Sequence, residues 1–144
     1  MKAKKGFTLV EILIVVVILG ILAAIVIPQF TNASTEAKTN SLMSNLQSVR
    51  SQIELYKVQH NDLMPAPEAA GTWTRMTSKT TIAGVVDAAG TYGPYLQQVP
   101  KNPFNDLATV RPDGAAGGAN THGWRFDSTT GAFVADDTVA HAAY

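Results

Sequence analysis

A lone carboxylate, Glu11, stands at the edge of the longest apolar stretch in the chain, the run ILIVVVILGILAAIVI from Ile12 to Ile27. An acid drawn into a bilayer costs about 3 kcal/mol on insertion scales, so it needs a function or a partner. The plain alternative is that Glu11 stays at the interface and reaches water. Four further acids, Asp113, Asp127, Asp136 and Asp137, lie among C-terminal loops. Clustered carboxylates and carbonyls can supply the six to eight hard oxygens that calcium takes, whereas the same acids dispersed would be ordinary solvated loop residues. His60, His122 and His141 show no metal-ligand spacing and read as exposed or loop histidines. Cysteine is absent, which excludes a thiol nucleophile, a disulfide and a thiolate metal site. No phosphate loop and no nucleophile elbow occurs. The chain therefore reads as no enzyme, with no catalytic residue and no bound cofactor.

The elements that position these residues are uneven along the chain. Its 144 residues suit one modest domain plus an anchor. With 46% hydrophobic and 15% charged residues, the chain is neither a disordered polyelectrolyte nor a strongly basic nucleic-acid binder. The zero net charge conceals a gradient: Lys2, Lys4 and Lys5 precede the apolar run, and acids outnumber bases after residue 60. A helix over residues 7–27 is about 31 Å long, enough to cross the hydrocarbon core of a bilayer. The lysines keep the N-terminus cytoplasmic and send the rest across. A secretory signal peptide fits less well, because Ile25–Ile27 follow the small pair Ala23-Ala24.

Beyond the run, Leu42, Leu46, Val49, Ile53 and Tyr56 recur at alternating spacings of four and three, the stripe of a helix that packs on a core. Arg50 and Glu54 sit four apart as a charge pair on its other side. The helix should stop near His60-Asn61-Asp62, before Pro65 and Pro67. A loop over 61–94 carries the anchors Trp73, Met76, Ile82, Val85 and Val86, with one short helical or strand piece. Asp113–Gly118 reads as a mobile turn or loop. Residues 123–127 and 132–135 flank a Gly-containing turn and predict a hairpin. In it Trp124 and Phe126 share a face and cover the helix stripe, together with Phe133.

The stretch Lys5-Gly6-Phe7-Thr8-Leu9-Val10-Glu11, run directly into the apolar segment, resembles the prepilin signature of the type IV pilin and type II secretion pseudopilin family. The resemblance implies that a prepilin peptidase cuts between Gly6 and Phe7 and methylates the new N-terminus of Phe7. It implies that Glu11 pairs with a neighbouring subunit's amine and so sets filament register. It also implies that Gly20 and Pro28 weaken the helix between them. Gly6 suits such a cut, since a residue without a side chain lets the backbone extend in a narrow protease site.

The implied fold is α+β and pilin-like. Residues 1–6 form the leader, 7–30 the transmembrane and filament-core helix, and 31–144 a periplasmic domain. That domain comprises an amphipathic helix over about 31–60, the loop 61–94 and a short antiparallel sheet over about 95–144. The Gly93–Phe104 segment is similar to the Tyr-Leu … Pro-x-x-Pro-aromatic stretch of major pseudopilins, which makes a type II secretion filament subunit the leading expectation. A surface type IV pilin and a bitopic membrane-anchored domain are the alternatives. Implied partners are copies of the chain, the peptidase, an inner-membrane assembly platform, minor pseudopilins and lipid, with no nucleic acid. Major pseudopilins bind calcium in the C-terminal region, but this chain lacks their Asp- and Ser-rich loop pattern.

Overall fold

The computed structural model describes residues 6–68, 71–114 and 116–144. The leader lysines Lys2, Lys4 and Lys5, Ala69 and Ala70 of the loop, and Ala115 of the glycine-rich turn lie outside the described residues. The chain divides into two compact units, Met1–Ala37 and Lys38–Tyr144. Helix α1, Leu9–Gln59, contributes to both.

In the first unit the large apolar side chains from Leu9 to Phe30 are all exposed, on every side of the helix. A soluble helix keeps one polar face, and this segment has none. By length and composition α1 can cross a membrane. Gly20 and Pro28 are both helical here. Pro28 removes the N–H that would reach the Ala24 carbonyl, and Thr31 Oγ1 donates to the Ile27 carbonyl at 3.1 Å beside it.

In the second unit the buried residues of α1 are Leu42, Leu46, Val49, Ile53 and Tyr56, the stripe expected from periodicity. They join one core with Trp73, Met76, Val110, Trp124, Phe126, Phe133 and Ala135. The helix exits through left-handed Asn61 and Asp62, where Asp62 N–H returns to the Lys57 carbonyl at 2.9 Å. The loop that follows holds one helical turn, α2 (Thr74–Thr77). The sheet comprises β1 (Val110–Pro112), β2 (Trp124–Phe126) and β3 (Phe133–Ala135), in that order. Trp124 and Phe126 are buried and Arg125 between them is not, as the hairpin reading requires.

Four expectations are corrected. β2 and β3 pair antiparallel, but β1 pairs parallel to β2, so the sheet is mixed rather than antiparallel throughout. A parallel neighbour needs a crossover of about a dozen residues, and the glycine-rich stretch 113–123 supplies it. Ile82, Val85 and Val86 are exposed, whereas Trp73 and Met76 are buried. The turn carrying the former sits on Tyr56 through Gly84, where a Cβ would lie 2.6 Å from the Tyr56 hydroxyl and φ is +72°. His60 is fully buried rather than exposed. Its ring stacks on Tyr56 at 3.9 Å, with Nδ1 2.9 Å from the Tyr56 carbonyl and Nε2 2.9 Å from Thr80 Oγ1. Glu54 pairs with Lys57 rather than Arg50. Arg50 instead donates to the carbonyls of Phe133 and Tyr144, each at 3.0 Å.

Candidate functional site

The N-terminal candidates cluster at the start of α1. Thr8 immediately precedes the helix, and its N–H and hydroxyl both donate to Glu11 Oε2 at 2.7 Å. Glu11 N–H in turn donates to Thr8 Oγ1 at 3.3 Å. This is a capping box, which satisfies two backbone donors that the first turn otherwise leaves open. The signature is Thr8-x-x-Glu11 ahead of an apolar run, a signal present in the sequence that assigned no role to Thr8. The structure thus gives Glu11 a partner within its own chain.

Phe7 is 83% exposed. A Cβ placed on Gly6 or Gly20 would meet no neighbouring atom within 4 Å. The subunit's own packing makes no demand for glycine at either position. Gly6 and Phe7, on either side of the peptide, are both exposed.

The four C-terminal acids are not brought together. Asp136 is fully buried and takes Arg111 Nη2 at 2.7 Å. It also accepts the amides of Gly118 and Ala119. Asp137 accepts Asn102 Nδ2 at 2.8 Å and lies 2.5 Å from His141 Nδ1. Asp127 holds the hairpin turn through the amides of Thr129 and Thr130. Asp113 takes the amide and hydroxyl of Ser128. Each carboxylate is therefore engaged in its own local structure. Among the described residues no three His, Asp or Glu side chains form a group that could hold a metal. The donor set does not fit calcium, because the acids point to different partners and a guanidinium already lies on the most buried of them.

Burial alone would raise the Asp136 carboxyl, but the Arg111 hydrogen bonds and charge and the two loop amides hold it below its ordinary value. Glu68 is similar: burial raises it, and the hydroxyl and amide of Thr74 bring it below. A carboxylate held low takes its proton at lower pH in the folded chain than in the unfolded one. Its stabilisation is complete above the ordinary carboxylate value of about 4 and is lost as pH falls below that. The urea midpoint of the detergent-solubilised chain should stay level through neutral pH and drop as pH falls below about 4. A midpoint that rises on acidification would contradict these pairings.

Comparison with known proteins accords with this geometry. Residues 1–27 match the prokaryotic N-terminal methylation motif. Type II secretion system core protein G of Pseudomonas aeruginosa is 30% identical, over 83% of this chain and 91% of that protein. The protein of the same name from Klebsiella michiganensis is 30% identical over 77% of this chain and 76% of its own length. The one from Pectobacterium carotovorum is 27% identical over 86% of each. No solved structure matches the chain. The methylation motif and the apolar helix mark a membrane-anchored protein. Taken with the cap at Thr8 and Glu11 and the small sheet behind the amphipathic stripe, these relatives place the chain in the family of type II secretion system core protein G, the pseudopilins.

Proposed function

We propose that this chain is the major subunit of a type II secretion pseudopilus, cut between Gly6 and Phe7, methylated on Phe7 and assembled through its N-terminal helix. The observation that carries the reading is the segment from Leu9 to Phe30, whose large apolar side chains touch no core of their own and whose one ionisable side chain is Glu11. Such a surface is satisfied in lipid or among like helices, and in no aqueous state.

The lysine-rich start sets the N-terminus in the cytoplasm and the sheet-bearing unit in the periplasm. After the cut, the Phe7 amine of a neighbouring subunit is the cation that meets Glu11 in the low-dielectric bundle. Gly20 and Pro28 provide a stretch of α1 able to loosen on packing. The role is structural rather than catalytic. Its partners are further copies of the chain, the prepilin peptidase, the assembly platform, minor pseudopilins and lipid. The names of the relatives support secretion over a surface fibre.

Intact-mass and N-terminal analysis of the protein from cells with active prepilin peptidase tests this. The expected product begins at Phe7 and is one methyl group heavier than its sequence. Recovery of chains still carrying Met1–Gly6 would refute the filament role and favour a dispersed membrane-anchored domain.

A further inference from the structure

The crossover between β1 and β2 lies in the C-terminal region to which the resemblance assigns calcium, and a different cation sits among its oxygens. Arg111 Nη1 donates to the Asp113 carbonyl at 3.2 Å and Nη2 to the Ala116 carbonyl at 3.2 Å. Nη2 also reaches Asp136 Oδ1 at 2.7 Å, and Nε reaches Asp136 Oδ2 at 3.3 Å. Two loop carbonyls and both oxygens of a buried carboxylate are the donors that a hard divalent ion prefers. A guanidinium matches them by a planar fork of donors and a charge that is never lost.

We infer that the Arg111 guanidinium is a chain-borne substitute for a divalent cation at this loop, so that the crossover is held without calcium. Three further observations support it. Asp136 also draws in the crossover through the amides of Gly118 at 3.1 Å and Ala119 at 3.3 Å. Gly118 has φ +100°, and a Cβ there would lie 2.7 Å from the backbone of Thr138, so the loop is pressed onto the segment after β3. On the neighbouring strand Arg125, paired in register with Arg111, donates to the Gly114 carbonyl at 3.3 Å and to Asp127 at 3.0 Å. A metal ion entering this oxygen set would face two adjacent positive charges.

The test uses the full chain in detergent micelles, with thermal melting and limited proteolysis of residues 113–121 as readouts. For the wild type, curves recorded with excess chelator and with millimolar calcium should superimpose. Arg111→Ser should melt lower and be cut in the crossover roughly tenfold faster, the loss of about one charge-assisted hydrogen bond to the population of closed loop. Should Arg111→Ser fail to fold, Arg111→Gln, which keeps length but loses charge and fork, should show faster cutting in the same segment. A wild type that melts lower or is cut faster in chelator overturns the inference. So does a folded Arg111 variant, Ser or Gln, that is cut no faster than the wild type.

Discussion

Glu11→Ala should be cut at Gly6–Phe7 like the wild type, accumulate in the membrane and form no filaments. In the proposed bundle the alanine leaves a neighbour's Phe7 amine buried without its counter-ion. Removing one member of a buried pair costs about 3–5 kcal/mol, because the other charge stays uncompensated. That corresponds to an assembly constant lower by about a hundred- to several-thousand-fold. The capping box complicates alanine alone, since Glu11 also accepts the Thr8 N–H within its own chain. Glu11→Gln separates the two roles: glutamine can serve in a capping box, but it carries no charge. Filament yield by sheared-fraction analysis should fall as far for Gln as for Ala. Normal filaments from Glu11→Ala would remove the pairing, and normal filaments from Glu11→Gln alone would assign Glu11 to the cap.

The largest effect on folding is expected at Trp124. The indole is fully buried, donates to the Pro100 carbonyl at 2.7 Å and stacks near Phe133 at 5.2 Å. Trp124→Ala removes a large core side chain and leaves that carbonyl without its donor, at a cost of about 3–5 kcal/mol. A domain of this size is stable by about 5–15 kcal/mol, so the urea midpoint should fall steeply. Val85→Ala is the control. Val85 is exposed, and its truncation should cost less than about 0.5 kcal/mol. Equal losses at the two positions would contradict the placement of the core.

The contrast between those residues shows which features the sequence could disclose. Leu42 to Tyr56 were legible because a helix repeats every few residues, and burial on one face imprints that period directly. Trp124, Phe126 and the hairpin were legible for the same local reason, alternation about a turn. Val85 was misread because an isolated apolar residue in a loop carries no period, and only the path of Thr81–Val85 over Tyr56 decides which way it faces. His60 is buried by Thr80, twenty positions on, and by the rings of Tyr92 and Tyr95. It also stands four residues after Tyr56, where the alternating stripe continues, but its polar ring masks that periodicity.

The parallel pairing of β1 was hidden likewise, since direction follows from how the 113–123 crossover returns and not from Val110–Pro112 themselves. The candidates Gly6, Phe7 and Glu11 stand together in one compact motif, which is the segment that the methylation motif matches. The same motif holds Thr8 three residues before Glu11, the spacing of a capping box. Arg111 escaped because its partner, Asp136, is twenty-five residues away.

The uniformly apolar surface of α1 between Ile12 and Ile27 constrains the route a subunit can take as well as its resting place. Lipid tails are as apolar as the side chains of neighbouring helices, so exchanging one for the other yields little hydrophobic free energy. Passage through water, by contrast, is opposed by the full transfer cost of that surface. As far as apolar burial goes, the two states are thus close in energy, and the water between them is a barrier. In the proposed filament a subunit would pass from bilayer to filament without an intervening soluble form. Apolar burial then holds a subunit in either state without choosing between them, and in the proposed filament that choice falls to the pairing of Glu11 with a neighbour's Phe7 amine.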